Sequence, residues 1–179
     1  MKKEIMIAGF GGQGVMSIGK SLVEAGLEEG LEVSWVPSYG PEMRGGTANC
    51  SVILSSRAVG SPIVYTPTEL IAMNVPSLRK FENDVVPGGA IFINSSIIKE
   101  EVLREDVKVY RVPCDTIAVE LGNGKVSNMV MLGAYIGATK ALDPETLRTM
   151  IRHMFAGRKE KLIPLNLEAL QRGIECAQE

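Results

Sequence analysis

The sequence predicts an α/β fold: a mainly parallel sheet flanked by helices in three layers. Three observations carry this expectation. Short apolar runs alternate along the chain with longer stretches of helical spacing. The chain opens strand–helix–strand, and a helical crossover is what joins parallel neighbours. The first two apolar runs each end in a glycine-rich loop, Ala8-Gly9-Phe10-Gly11-Gly12-Gln13-Gly14 and Ser38-Tyr39-Gly40-Pro41-Glu42-Met43-Arg44-Gly45-Gly46. Consecutive parallel strands end at one edge of the sheet, where ligands bind, so two unusual loops there make one site. The 179 residues are read as a single domain, 1–179, long enough to bury a full core.

The elements follow in order. Residues 4–8 form a short apolar strand. Residues 14–29 have helical spacing, with Val15, Ile18, Leu22, Val23, Ala25 and Leu27 leaving Lys20, Glu24 and Glu28 to solvent. Gly30 ends that helix where a left-handed residue is needed. Residues 31–36 are the second strand and 47–54 a third, closed by Ser55-Ser56-Arg57; 69–73 is another apolar run. Pro76 starts a short helix to Phe81, since proline suits the first turn. Residues 90–93 and 107–112 are strands, separated from that helix by the turn Pro87-Gly88-Gly89. Asp115 is the expected N-cap of a helix that Gly122-Asn123-Gly124 breaks. Residues 128–141 are apolar nearly all round, so this helix is covered by its own core or by a partner. Asp143-Pro144-Glu145 supplies a cap, a proline and a first-turn acid to the next helix, and 166–177 is the last.

Composition narrows the function. A net charge of -2 gives no electrostatic case for nucleic acid or an anionic membrane. Aromatic residues at 5% argue against a base-stacking surface. No apolar run approaches a membrane span, and the run after Met1-Lys2-Lys3 breaks at Gly9, too short for a signal peptide; the expected compartment is the cytoplasm. Cys50, Cys114 and Cys176 are far apart, with no Cys-x-x-Cys to frame zinc or an iron–sulfur cluster. His153, the single histidine, falls on an amphipathic helix and reads as a surface or packing residue, which weakens the case for acid–base chemistry by this chain alone.

Gly9, Gly11 and Gly14 fit the G-x-G-x-x-G spacing between strand and helix, a Rossmann-like arrangement in which backbone N–H groups at a helix N-terminus can meet a phosphate or carboxylate. A dinucleotide site also wants an acid at the end of the second strand. That strand ends Ser34-Trp35-Val36-Pro37, and Glu32 lies at its beginning, so NAD or FAD is disfavoured. The second loop carries Glu42 and Arg44 beside Tyr39; Arg44 can grip an anion in two-pronged geometry. Taken singly, the first loop could be a tight turn and the second a solvated connection with an internal Glu42–Arg44 pair.

Together, the two loops resemble the gamma subunit of 2-oxoacid:ferredoxin oxidoreductases. Residues 7–14 resemble that family's opening strand and loop, residues 38–46 its most distinctive motif, and Asn128-Met129-Val130-Met131-Leu132-Gly133 a third segment. The resemblance spans essentially the whole chain. It implies a role in an enzyme that oxidatively decarboxylates a 2-oxoacid to an acyl-CoA and passes electrons to ferredoxin. It implies alpha, beta and delta partner subunits, which hold the thiamine diphosphate, magnesium and iron–sulfur cluster; this chain alone would hold no cofactor and be inactive. It carries cofactor- or coenzyme A-site roles onto Gly11, Gly12, Gln13, Gly14, Ser38, Tyr39, Gly40, Glu42, Arg44, Gly45, Gly46 and Asn128, with no catalytic residue and no metal ligand among them. The Ser-Tyr-Gly-Pro-Glu-x-Arg-Gly-Gly form is most similar to the 2-oxoglutarate branch; pyruvate, branched-chain and indolepyruvate branches are alternatives. Two other classes compete: a free-standing dinucleotide oxidoreductase and a nucleotide- or CoA-sensing module. Isolated, the chain could pair with itself through the surface meant for its partner.

Overall fold

The computed structural model describes residues 1–39 and 47–177. Its first strand, β1 (Lys2–Phe10), is central, with Ile5 and Ile7 fully buried on one side. Helix α1 (Val15–Glu28) starts at Gly14, whose φ of 76° is left-handed, and is stopped by Gly30 at φ 75°. Next come β2 (Glu32–Tyr39), β3 (Thr47–Ser55), β4 (Glu69–Ala72) and α2 (Val75–Phe81), followed by β5 (Ala90–Asn94) and β6 (Lys108–Val112). The remainder is helical: α3 (Cys114–Glu120), α4 (Ser127–Thr139), α5 (Pro144–Met154) and α6 (Ile163–Cys176).

The six strands lie in the order β2-β3-β1-β4-β5-β6. β1, β4, β5 and β6 are parallel neighbours. β3 runs antiparallel to both β1 and β2 and sits between them. The first two strands are therefore parallel, as expected from a crossover through α1, but they are not adjacent. Both still end at the same edge: Phe10 lies opposite Thr47, and Tyr39 opposite Ala48.

The two faces are unequally covered. On one, Ile7, Val52, Leu54, Ile71 and Phe92 pack into a single core with α1, α3, α4, α5 and α6. On the other, Leu70, Ala72, Ile91 and Ile93 pack with Leu78 of α2, Val85 and Ile98. The nearly all-apolar α4 is enclosed by this chain's own elements, chiefly α6 and α3. Gly133 and Gly173 make that contact close: a Cβ at Gly173 would stand 2.0 Å from the Val130 carbonyl oxygen.

Asp115 is not the N-cap of α3. The helix begins one residue earlier, and Ser96 Oγ, from the turn after β5, accepts the Asp115 and Thr116 N–H groups at 3.1 and 3.0 Å. The Asp115 carboxylate instead accepts from the buried Asn94 amide at 3.0 Å. A sequence window cannot show a cap supplied from another loop. Asp143 does cap α5, accepting from Glu145 N at 2.8 Å, with Pro144 in the first turn.

Candidate functional site at the glycine-rich loop

Strand order reverses at β1: the chain leaves it towards β2 on one side and returns to β4 on the other. The crevice outside the ends of β1 and β4 is the place where open α/β sheets bind ligands. Here Gln13 bridges it. Its Oε1 accepts from Phe10 N at 2.7 Å and Asn74 Nδ2 at 3.3 Å, and its Nε2 donates to Met73 O at 3.0 Å. Both ends of the amide are occupied within the protein, so Gln13 braces the loop against the end of β4. Asn74 in turn caps α2, accepting from Ser77 N at 2.9 Å, and is almost fully buried. The sequence signal for Asn74 was present, an asparagine two residues before Pro76, but nothing local tied it to Gln13.

The open side of the loop faces β2. Gly11, Gly12, Gly14, Val15, Met16, Ser17 and Tyr39 line a hollow of about 260 Å³ with Phe10 and Ala48. At the start of α1 the N–H groups of Val15, Met16 and Ser17 have no helical acceptor, and the helix has no acidic residue in its first turn. The positive end of the helix is thus left without a carboxylate of its own on that turn, an environment suited to an anionic group. Tyr39 is 72% exposed at the rim.

The remaining predicted residues fall into three groups. Asn128, in the first turn of α4, packs behind Gly14, where a Cβ would meet its Nδ2 at 2.6 Å. Two helix N-termini therefore meet at Gly14, and glycine is what allows the approach. Ser38 is exposed on β2 and does not line the hollow. Gly40, Glu42, Arg44, Gly45 and Gly46 lie outside the described residues. Met16 and Ser17, which do line it, were missed because helical spacing marks them only as first-turn positions.

The titratable groups nearest the core are not built for chemistry. Burial pushes the Cys50 thiol up to about 11, against the lowering effect of a hydrogen bond from Trp35. Burial likewise raises Cys114 and Tyr135 well above their ordinary values. Among the described residues no group of three or more His, Cys, Asp or Glu side chains is arranged to hold a metal ion. No helix among them is long and apolar enough to cross a membrane.

The chain belongs to the pyruvate ferredoxin/flavodoxin oxidoreductase family, which it matches over residues 4–176. It is 46% identical over 177 residues to ketoisovalerate oxidoreductase subunit VorA of Methanothermobacter thermautotrophicus, covering 98% of this chain and 36% of that protein. It is 33% identical over 183 residues to 2-oxoglutarate synthase subunit KorC of Methanocaldococcus jannaschii, covering 100% of this chain and 96% of that one. Among solved structures, 2-oxoglutarate:ferredoxin oxidoreductase from Magnetococcus marinus, with 2-oxoglutarate, coenzyme A and succinyl-CoA bound, superposes with a TM-score of 0.92 at 27% identity, over 99% of this chain and 31% of that one. The gamma subunit of a keto/oxoacid ferredoxin oxidoreductase from Geobacter sulfurreducens gives 0.82 at 26% identity, over 98% of both chains. The chain thus spans about a third of the VorA relative and nearly the whole of the KorC relative.

Proposed function

We propose that this chain is the gamma subunit of a multi-subunit 2-oxoacid:ferredoxin oxidoreductase. In that assembly a 2-oxoacid is oxidatively decarboxylated, coenzyme A takes the acyl group and ferredoxin the electrons. The observation that carries the reading is the family match over residues 4–176, shared with relatives that are gamma-type subunits of such enzymes. On this reading the thiamine diphosphate, magnesium and iron–sulfur groups belong to alpha, beta and delta partners, and the complex works in the cytoplasm. The contribution of this chain is the glycine-lined hollow, whose free N–H groups suit an anionic portion of coenzyme A or of a cofactor held by a neighbour. Glu42 and Arg44 of the second glycine-rich motif are assigned a role toward the same anionic group.

The motif form favours 2-oxoglutarate as substrate. The 46% identity to a ketoisovalerate enzyme subunit, against 33% to a 2-oxoglutarate one, favours a branched-chain 2-oxoacid. Purification of the native complex, followed by CoA-dependent reduction of a viologen dye with each acid, tests both points. Co-purifying thiamine- and cluster-bearing subunits support the assignment. A chain that oxidises a 2-oxoacid alone, or binds NAD tightly with no partner, sinks it.

A further inference from the structure

The hollow at the glycine loop does not end at Ser17. Met16 and Ser17 also line a second hollow of about 460 Å³, with Lys20, Ser21, Glu24, Trp35 and Met154. Glu24 in turn lines a third, of about 480 Å³, between α1 and α5, with Glu28, Glu145 and His153. The three hollows follow one another along α1 and share lining residues, and the stretch of α1 from Ser17 to Glu28 that they border, here called the trough, is roughly 17 Å at helical rise.

The two ends of the trough differ in chemistry. Near the glycine loop Lys20 and Glu24 stand beside two half-open apolar side chains, Trp35 at 37% and Met154 at 40% exposure. Large side chains left half-open around one hollow are what an anchor residue fills. Ser21, fully buried, borders this part, and its Oγ has no hydrogen-bond partner among the described residues. The far part is acidic. Glu28 is exposed and makes no ion pair among the described residues. Glu24 has only a long contact to Lys20, 3.6 Å, and Glu145 pairs with Arg148 at the surface. β2, alongside, is an edge strand interrupted by Pro37, which removes a donor and disfavours open-ended strand addition. Docking here is therefore through side chains in the trough.

We propose that this trough seats a segment of a different subunit, with an apolar anchor in the Trp35–Met154 hollow and lysine or arginine side chains against Glu24, Glu28 and Glu145. The inference rests on the gamma-subunit reading and deepens it. A catalytic partner is favoured by continuity: whatever fills the trough abuts the glycine-lined site. Relatives about three times as long carry further polypeptide together with this same fold.

Hydroxyl-radical footprinting and zero-length carboxyl–amine cross-linking of the purified holoenzyme test the proposal. Oxidation of Trp35 and Met154 should fall about tenfold between the free chain and the complex, and Glu28 or Glu145 should cross-link to a lysine of another subunit. Met154→Glu should weaken assembly about tenfold or more while leaving the melting temperature of this chain unchanged. Cross-links only between copies of this chain overturn the proposal. So does a complex that assembles with Trp35 and Met154 still fully reactive, and in that case the gamma-subunit reading survives. Absence of any complex with thiamine- or cluster-bearing subunits overturns both.

Discussion

Among the described residues, one face of the sheet carries five helices and the other a single helix of seven residues, α2. Both faces bury strand residues completely, as Phe92 and Ile91 show from adjacent positions on β5. The difference lies in how the cover is held. On the crowded face α4 and α6 meet backbone to backbone through glycines, and Tyr135 stands edge-on to Phe92 at 5.4 Å. On the thin face, cover comes from α2, from Val85 and Ile98, and from a braced turn: Arg104 donates to the Glu82 and Val85 carbonyls at 2.9 and 2.6 Å. The crowded face is stabilised by shape, the thin face by a few apolar contacts under polar clasps. The most apolar helix is therefore not where a partner must bind, and the trough beside α1 becomes the more informative surface.

The sharpest break of this contrast is Gly173→Ala. The added Cβ would overlap the Val130 carbonyl, so α4 and α6 must move apart. Overpacking of this kind costs about 1–3 kcal/mol or more, and a backbone obstacle puts the expected cost at the top of that range. Urea denaturation of the full chain measures it. A variant as stable as the parent would show that the crowded face has slack.

Paired truncations come next. Leu22→Ala on the crowded face and Leu78→Ala on the thin face remove the same atoms from fully buried sites. Costs for such changes span about 2–5 kcal/mol, depending on how far the site collapses. Leu22 is expected near the upper end, since α1 is held to β3 and α5. Leu78 is expected near the lower end, since α2 can settle onto β4. Equal losses would erase the distinction between the faces.

Gln13→Ala probes the seam between the two halves of the sheet. It removes three hydrogen bonds and leaves the Met73 carbonyl and the Phe10 N–H to find other partners. The expected loss is about 1–2 kcal/mol in denaturant melts. In the complex, a raised KM for coenzyme A would follow from a loosened glycine loop. Unchanged stability and KM would mean that the brace is dispensable.

Much of this architecture was legible in the sequence because its signals are local. The caps at Gly30 and Asp143, the first glycine loop and the uniform apolarity of α4 each sit within a few residues of the feature they fix. What stayed hidden was non-local. β3 inserts antiparallel between β1 and β2, yet residues 47–54 carry no sign of strand direction, because an apolar run reads the same either way. Ser96 caps α3 from another loop, and Gln13 reaches Met73 and Asn74 about 60 positions on, across the sheet. The proposed site was legible in the same partial way: Gly11, Gly12, Gly14 and Tyr39 share one hollow, while the neighbouring Met16 and Ser17 read only as helix.

The gentlest probe of the crowded face is Cys50, on β3 beneath α1. Its thiol sits against Gly19 and Trp35 and donates weakly to the Val15 carbonyl at 3.7 Å. Burial raises it from 9.0 to about 11 in the fold. The neutral thiol is therefore favoured in the folded state. Its contribution is complete below pH 9 and is lost as the pH climbs towards 11, where the unfolded chain gains by ionising first. Stability should fall by about 1 kcal/mol between pH 8 and pH 10 from this group, and Cys50→Ala should reduce the fall. Cys114, also raised by burial, contributes in the same direction. In the native chain at pH 8 both thiols should resist iodoacetamide until denaturant is added. Rapid native-state alkylation of Cys50 would mean that α1 lifts from β3 far below the global unfolding energy, and that the crowded face opens at the edge nearest the glycine loop.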